Sequence, residues 1–304
     1  MQLLLTLLFL SAFSACSQES ATQVETNDDN RLSTLPSLTF LVHPYDNPSR
    51  LVARFSPLCD YLSKVSGQPV KLVIARSYVD QVQRITKGQV DLAYMGPTPF
   101  LRAQDHYLAD NVKKIVPFAA EVKGGNASYQ SVIVVRDNSD IKDIKDIEDH
   151  TFAFGAPHSF SSHYVPRVML GNNGLAFKNL RDYAYLGRHE RVALAVLHGD
   201  FDAGGLNRDV AKRYQNRTPG LRVISASAPL PPHLIVARPD FSLIILEQLT
   251  LALVEPDTND SDYNLAMTSL GQGTRFTAPD MQSFDYARRI IKAVESYPAK
   301  LESR

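Results

Sequence analysis

The segment from 154 to 166 (FGAPHSFSSHYVP) carries side chains that could bind an anion. A strand pattern ends at Gly155, and a helix pattern begins at Ser159. Serine is a preferred N-cap residue, and the N–H groups of the first helical turn have no acceptor within the helix. Those N–H groups, the helix dipole and the hydroxyls of Ser159 and Ser161 all favour negative charge. The segment predicts an anion site, although an ordinary capped helix would show the same pattern.

Nucleophilic catalysis is the alternative chemistry, because Ser159, His163 and His189 could form a Ser–His pair. The chain has no Gly-x-Ser-x-Gly elbow, and no third group is evidently placed to orient either histidine. The histidines have no strong metal-ligand spacing with carboxylates, and phosphate-loop and dinucleotide fingerprints are missing from the sequence. We therefore expect that the protein catalyses no reaction and binds no metal and no cofactor.

Charge and length limit the class of protein further. Lys+Arg and Asp+Glu both number 32, so the formal net charge is +0. Nucleic-acid binding depends on neutralising phosphates, so this balance argues against a nucleic-acid partner. The 304 residues are enough for two lobes of about 100–150 residues, each with its own core.

The first 36 residues have the pattern of an export signal and a tether. Residues 3–10 are apolar apart from Thr6, a run too short to cross a bilayer. Residues 13–16 (FSAC) resemble a bacterial lipobox, although Phe13 replaces the usual leucine. We predict a signal peptide over 1–16, lipidation of Cys16, a flexible tether over 17–36, and a location in the periplasm or cell envelope. A plain signal peptide with an incidental cysteine is the alternative.

Beyond residue 37, strand and helix patterns alternate, which predicts an α/β protein with mostly parallel sheets. The predicted strands and helices of the first part are 38–43, 49–66, 70–75, 78–87, 90–95 and 97–107. Two C-terminal helices are predicted over 241–254 and 280–296. Cys59 lies on the apolar stripe of the first helix, which indicates a buried structural thiol.

A repeated pattern indicates two lobes of similar construction. Residues 87–94 (KGQVDLAY) and 198–205 (HGDFDAGG) each end a helix at glycine and start a strand after aspartate. Extended segments at 129–136 and 221–238 could connect the lobes, and prolines stiffen the second segment. We predict one lobe from 37–132 and 229–304, and a second from 133–228, with two crossovers that act as a hinge.

The chain resembles the substrate-binding proteins of phosphate, phosphite and phosphonate ABC importers (PhnD-like proteins) from about 37 to 296. The resemblance rests on the order and spacing of Pro44, Pro48, 57–62 (PLCDYL), 88–97 (GQVDLAYMGP), 129–131 (YQS), 155–166, His189 and 202–204 (DAG). It implies a type II periplasmic-binding-protein fold, with two lobes joined by two crossover strands. It also implies capture of a small phosphorus oxyanion without chemistry.

The resemblance further implies which residues bind the anion. A Ser-Thr-Ser turn in the family falls on Ser159, Phe160 and Ser161, with phenylalanine in place of threonine. The remaining family positions match Tyr78, Tyr129 and His189, and we expect Tyr94 near the cleft. Asp209 matches one acidic residue of aminoalkylphosphonate binders, but the second acidic position falls near 233–234 (HL). A pocket with two carboxylates for an ammonium group is therefore not expected, and phosphate, phosphite, methylphosphonate or a related sulfur or arsenic oxyanion is favoured instead.

The expected partners follow from the same resemblance: a small oxyanion, an ABC permease in the inner membrane, and the membrane itself through the lipid anchor. We expect a monomer. Two alternatives stay open at this point. The bound anion could be presented to a receptor kinase, since the lobes would look the same, or the chain could be a structural lipoprotein.

Overall fold

The computed structural model describes residues 36–106 and 114–296, which contain two β-sheets with flanking helices. Cys16, the predicted signal peptide and nearly all of the predicted tether lie outside these residues. No helix in the described ranges is both long and apolar enough to cross a bilayer.

The first sheet has six strands, in the spatial order β11-β4-β10-β3-β1-β2. They are Leu38–Val42 (β1), Val70–Ile74 (β2), Leu92–Met95 (β3), Val116–Lys123 (β4), Leu234–Ala237 (β10) and Thr274–Thr277 (β11). The second sheet has five strands, in the order β7-β6-β8-β5-β9. They are Ser131–Arg136 (β5), Thr151–Phe154 (β6), Asp182–Tyr185 (β7), Ala203–Asn207 (β8) and Leu221–Ala226 (β9).

The α/β class is confirmed, but both sheets are mixed rather than mostly parallel. In the first sheet β1 pairs with β2 and β3 in parallel, while β10 is antiparallel to β3 and β4. In the second, β6 forms parallel pairs and β5 forms antiparallel pairs. The reason is topological: β10 returns from the second sheet without a helical crossover and lies between β3 and β4, and parallel neighbours require such a crossover.

Nine helices of at least eight residues flank the sheets in the described part of the chain. They are Pro48–Ser66 (α1), Tyr78–Thr86 (α2), Pro97–His106 (α3), Val165–Asn172 (α4), His189–His198 (α5), Arg208–Gln215 (α6), Leu243–Val254 (α7), Ser261–Leu270 (α8) and Phe284–Glu295 (α9). Short 3₁₀ turns lie at Ile144–Ile147, Phe177–Asn179 and Met281–Ser283. The predicted helices therefore form with small changes at their ends, whereas α6 and α8 were not predicted. Cys59 in α1 is buried, and burial raises the pKa of its thiol to about 12.

The repeated glycine–aspartate pattern forms the same set of hydrogen bonds in both sheets. Asp91 Oδ2 accepts hydrogen bonds from the backbone N–H and hydroxyl of Thr39, both at 2.9 Å. Asp202 Oδ2 accepts the equivalent bonds from Thr151, at 2.9 and 2.8 Å. Each aspartate also pairs with an arginine, Arg238 at 3.0 Å and Arg181 at 2.8 Å. The repeat thus joins the start of one strand to its neighbour in each sheet.

The chain passes between the two sheets twice, and the two connecting segments pair with each other. Tyr129 N–H donates to the Leu230 carbonyl at 3.3 Å, and Leu230 N–H donates back at 2.8 Å. Tyr129 therefore lies where both connections meet. The lobe boundaries at 132/133 and 228/229 stay a prediction.

Candidate functional site

The turn at 159–164 is wider than the α-helix predicted there. Phe160–Tyr164 form a π-helical turn that leads into α4, and Ser159 is its N-cap. Pro166 has no N–H to donate to the Ser162 carbonyl, which instead accepts a 2.9 Å bond from Gly155 N–H. The Ser161 carbonyl is also free of the helix and accepts the Ser131 hydroxyl at 2.7 Å. The wide turn is therefore tied to both β5 and β6.

Gly155 is required for the close approach of this turn to β6. A Cβ atom at Gly155 would lie 2.0 Å from Ser162 Oγ and 2.7 Å from Ser162 Cβ. Ser162 is fully buried and has no room to withdraw. A side chain at residue 155 would therefore displace the serine turn.

The turn presents unpaired donors. Ser159 Oγ accepts the Ser162 N–H at 3.3 Å, and the Ser159 carbonyl accepts from His163 and Tyr164. Among the hydrogen bonds found in the described residues, none uses the N–H of Phe160 or of Ser161 as donor. The Phe160 side chain belongs to an apolar cluster around β3, α3 and α9, so its replacement of threonine anchors the turn and leaves its amide available.

All eight predicted binding residues line one cavity of about 80 Å³ between the two sheets. They are Tyr78, Tyr94, Tyr129, Ser159, Phe160, Ser161, His189 and Asp209. Tyr78 lies beside Ser159, and Tyr129 lies beside Ser161, so tyrosines from α2 and the first connection meet the serine turn. Burial raises the pKa of both tyrosines although the neighbouring serines oppose the shift, which keeps their hydroxyls protonated as donors. A cavity of this size holds only a handful of non-hydrogen atoms.

His189 adds a neutral donor to the cavity. Its Nδ1 accepts the Asn207 N–H at 3.0 Å, so Nε2 carries the proton of the neutral ring. Burial lowers the pKa of His189 to about 3, with Asp46 opposing and His43 reinforcing the shift. The ring is therefore uncharged near pH 7.

Two of the predicted residues have their polar groups engaged by other side chains. The Tyr94 hydroxyl donates to Glu121 Oε2 at 2.7 Å, so Tyr94 contributes the face of its ring to the wall. Asp209 is half-exposed at the rim, 3.4 Å from Lys123 Nζ and 3.8 Å from Lys212 Nζ. Neither side chain has a free polar group that faces the ligand space.

The cavity wall also includes residues that were not predicted. The most prominent are His43, Tyr45, Asp46, Arg54, Glu121 and His233. Arg54 donates to Glu121 at 2.8 Å and to the Tyr45 hydroxyl at 2.9 Å. Burial opposes ionisation of Glu121, but Lys123, Arg54 and the bond from Tyr94 hold its pKa below the usual value. The one sequence signal for His43 was a polar residue directly after an apolar strand.

The charged residues that line the cavity are paired with one another. Asp46 and Arg213 are 2.8 Å apart, and Arg54 is paired with Glu121. In the described part of the chain, no group of three or more metal-ligating side chains is placed to hold an ion. The arrangement suits an anion held by neutral hydrogen-bond donors rather than by a free lysine or arginine.

Comparison with known proteins identifies the fold. The solved structure of PhnD1 from Prochlorococcus marinus (MIT 9301) in complex with methylphosphonate superposes with a TM-score of 0.76. Sequence identity is 20%, and the match covers 85% of this chain and 98% of that one. This likeness confirms the predicted binding-protein fold.

Two relatives have a higher sequence identity to this chain, but over a shorter part of it. The phosphate-import protein PhnD of Mycolicibacterium smegmatis is 32% identical over 178 residues, which cover 55% of this chain and 54% of that protein. The probable ABC transporter phosphite binding protein PhnD1 of Prochlorococcus marinus is 27% identical over 175 residues, or 55% and 57% of the two chains. The matched part thus spans about half the length of these relatives.

A family model also matches most of the chain. The model of the periplasmic substrate-binding protein of phosphonate ABC transporters matches residues 40–284. That range includes nearly all of both sheets and every residue of the candidate site that the sequence predicted. The chain therefore belongs to the family of periplasmic phosphonate-binding proteins of ABC transporters.

Proposed function

We propose that this protein reversibly captures a small phosphorus oxyanion, such as phosphonate, phosphite or phosphate, and delivers it to an ABC permease. The observation that supports this most is the set of neutral donors around the 80 Å³ cavity. Hydrogen bonds to a charged group contribute about 1.5–3 kcal/mol each. Four or five of them, after ordering losses, account for the roughly 8–12 kcal/mol of micromolar to nanomolar binding.

Capture without turnover follows from the hydrogen bonds of the nearby histidine. His163 Nδ1 donates to the Pro157 carbonyl at 2.5 Å, and its Nε2 accepts the Tyr185 hydroxyl at 2.8 Å. Neither ring nitrogen is then available to take a proton from Ser159. His189 Nδ1 is occupied and its Nε2 already carries a proton, so it acts as a donor rather than a base.

The substituent on the anion is expected to be small or negatively charged rather than an ammonium group. Asp46, Glu121 and Asp209 each have a basic partner, which leaves no unpaired carboxylate in the cavity wall. An adjoining outer cavity of about 970 Å³ is lined by six basic and two acidic side chains. Its positive potential would attract anions toward the inner site.

Contacts between elements of the two sheets support closure around the ligand. Besides the Asp46–Arg213 pair, the His189 N–H donates to the Tyr45 carbonyl at 3.1 Å. An anion that bridges the serine turn and Tyr78 would favour this closed arrangement, which a permease could read. The lobe boundaries, the Cys16 anchor, the periplasmic location and the monomeric state belong to this proposal.

A ligand screen tests the proposal. Phosphate, phosphite and methylphosphonate are each expected to raise the Tm, because a ligand that binds only the folded state stabilises it by mass action. 2-Aminoethylphosphonate is expected to give a smaller shift, since its ammonium group finds no free carboxylate. Calorimetric titration then ranks the affinities. No Tm shift with any phosphorus oxyanion would contradict the proposed function.

A further inference from the structure

His43 places a hydrogen-bond acceptor in a cavity that is otherwise rich in donors. It directly follows β1, is 2% exposed and lines the inner cavity. Its Nδ1 lies 3.1 Å from the Tyr94 carbonyl oxygen, which can only accept. Nδ1 therefore carries the proton, and Nε2 of the neutral ring is left with a lone pair.

The Nε2 atom that carries this lone pair lies near Gly96, another residue of the cavity lining. A Cβ atom added to Gly96, which lines the cavity, would lie 4.0 Å from His43 Nε2 and 3.3 Å from His233 Nε2. No hydrogen bond to His43 Nε2 is present among the residues that the structure describes. The acceptor is thus available to a ligand.

The surroundings keep the ring neutral. Four ring centroids lie within 6.0 Å of the His43 ring centroid: those of Tyr45, Tyr78, Tyr94 and His233. The guanidinium of Arg54 is the nearby charge that acts on His43. Burial lowers the pKa of His43 to about 4, the bond to the Tyr94 carbonyl opposes this shift, and the Arg54 charge adds to it. His189 also interacts electrostatically with His43, and the cavity carboxylates already have partners: Glu121 is held by Arg54 and Tyr94, and Asp46 by Arg213.

We propose that His43 Nε2 accepts a hydrogen bond from a protonated oxygen of the bound anion, so that the site selects tetrahedral oxyanions that carry an acidic proton. Hydrogen phosphate, hydrogen phosphite and singly protonated phosphonates belong to this class, whereas sulfate and sulfonates carry no proton near neutral pH. An unprotonated anion would bring its oxygen against the lone pair of Nε2, or would require His43 to take a proton from solvent. This inference rests on the proposed function and specifies its ligand.

Proton-linked calorimetry tests the inference. Phosphite is titrated, in buffers of different ionisation enthalpy, at a pH where the free ligand is mostly the dianion. Wild type is expected to take up about one proton per phosphite bound. The same protein is expected to bind phosphate at least about tenfold more tightly than sulfate.

The informative variant is His43→Asn. Its side-chain amide can still donate to the Tyr94 carbonyl, but the Nε2 acceptor is removed. The proton uptake should disappear, and the preference for phosphate over sulfate should fall by about tenfold or more. His233→Asn tests the other cavity histidine as the acceptor and should retain the proton uptake whatever its affinity. His198→Asn, at an exposed position, is the matched control and should bind as wild type does.

Three results would overturn the role of His43: proton uptake that persists in His43→Asn, proton uptake that is lost only in His233→Asn, or equal affinity of wild type for sulfate and phosphate. The wild-type measurements are decisive even if His43→Asn does not fold. A wild-type protein that binds no phosphorus oxyanion would instead contradict the proposed function, so the two failures are distinguishable.

Discussion

Replacing Ser159 and Ser161 together with alanine is expected to weaken phosphite or methylphosphonate binding by about 10²- to 10⁴-fold, because each hydroxyl–anion bond contributes about 1.5–3 kcal/mol. Both serines line the inner cavity, beside Tyr78 and Tyr129. The affinity is measured by calorimetric titration, and thermal unfolding reports whether the variant is folded.

The adjacent serine provides the control. Ser162 Oγ is buried without a hydrogen-bond partner in the described structure, and it packs against Gly155 rather than the cavity. Ser162→Ala should therefore keep wild-type affinity. Ser159 also caps the turn, and loss of a cap destabilises by about 1 kcal/mol, so Ser161→Ala alone separates binding from stability. Affinity of the double variant within about threefold of wild type would contradict the site.

The ligand-free protein is expected to lose stability steeply between pH 7 and pH 5. Burial lowers the pKa of His43 and His163 to about 4 and that of His189 to about 3. The unfolded chain binds protons below the ordinary histidine value of 6.5, while these folded-state rings remain neutral. Stability is therefore fully present above that value and is lost as the pH falls, by about 2 kcal/mol per histidine at pH 5.

Urea unfolding at a series of pH values measures this loss. The range stops at about pH 5, above the ordinary carboxylate pKa values, so that aspartates and glutamates contribute little. His189→Asn should reduce the slope by about one proton. His198→Asn, at the exposed end of the same helix, should leave the slope unchanged. A free energy of unfolding that is constant between pH 7 and pH 5 would contradict neutral burial of these rings.

The anion-binding turn was predicted from its local pattern, and the family resemblance supplied the tyrosines and His189 that line the same cavity. Ser159, Tyr78 and His189 each lie at the start of a helix that follows a strand, and this arrangement places them at the carboxyl ends of strands. The repeated Gly–Asp pattern likewise reflects a real structural repeat, since Asp91 and Asp202 accept equivalent hydrogen bonds from a threonine on the neighbouring strand.

Features that depend on sheet order were not predictable from the sequence. Arg54 on α1 and Glu121 on β4 are 67 residues apart, and their contact depends on where β4 lies in the first sheet. His233 faces the cavity because β10 lies between β3 and β4. In the π-helical turn the carbonyls of Ser161 and Ser162 accept hydrogen bonds from Ser131 and Gly155. These donors lie on β5 and directly after β6, so the turn depends on the arrangement of the second sheet.

The sequence also did not show which polar side chains are already hydrogen-bonded or ion-paired within the protein. Tyr94 and Asp209 have the residue types of ligand contacts, yet Glu121 and two lysines occupy their polar atoms. Sequence position could indicate that they lie near the cleft, but not that their hydrogen bonds and charges are satisfied by the protein.

A crystal structure of the protein with bound methylphosphonate tests the central claim most directly. The phosphonate oxygens are expected within about 2.5–3.2 Å of the Ser159 and Ser161 hydroxyls, the Phe160 and Ser161 amides and His189 Nε2. A phosphonate bound instead in the outer cavity, against Arg208 and Lys212 and away from the serine turn, would contradict it.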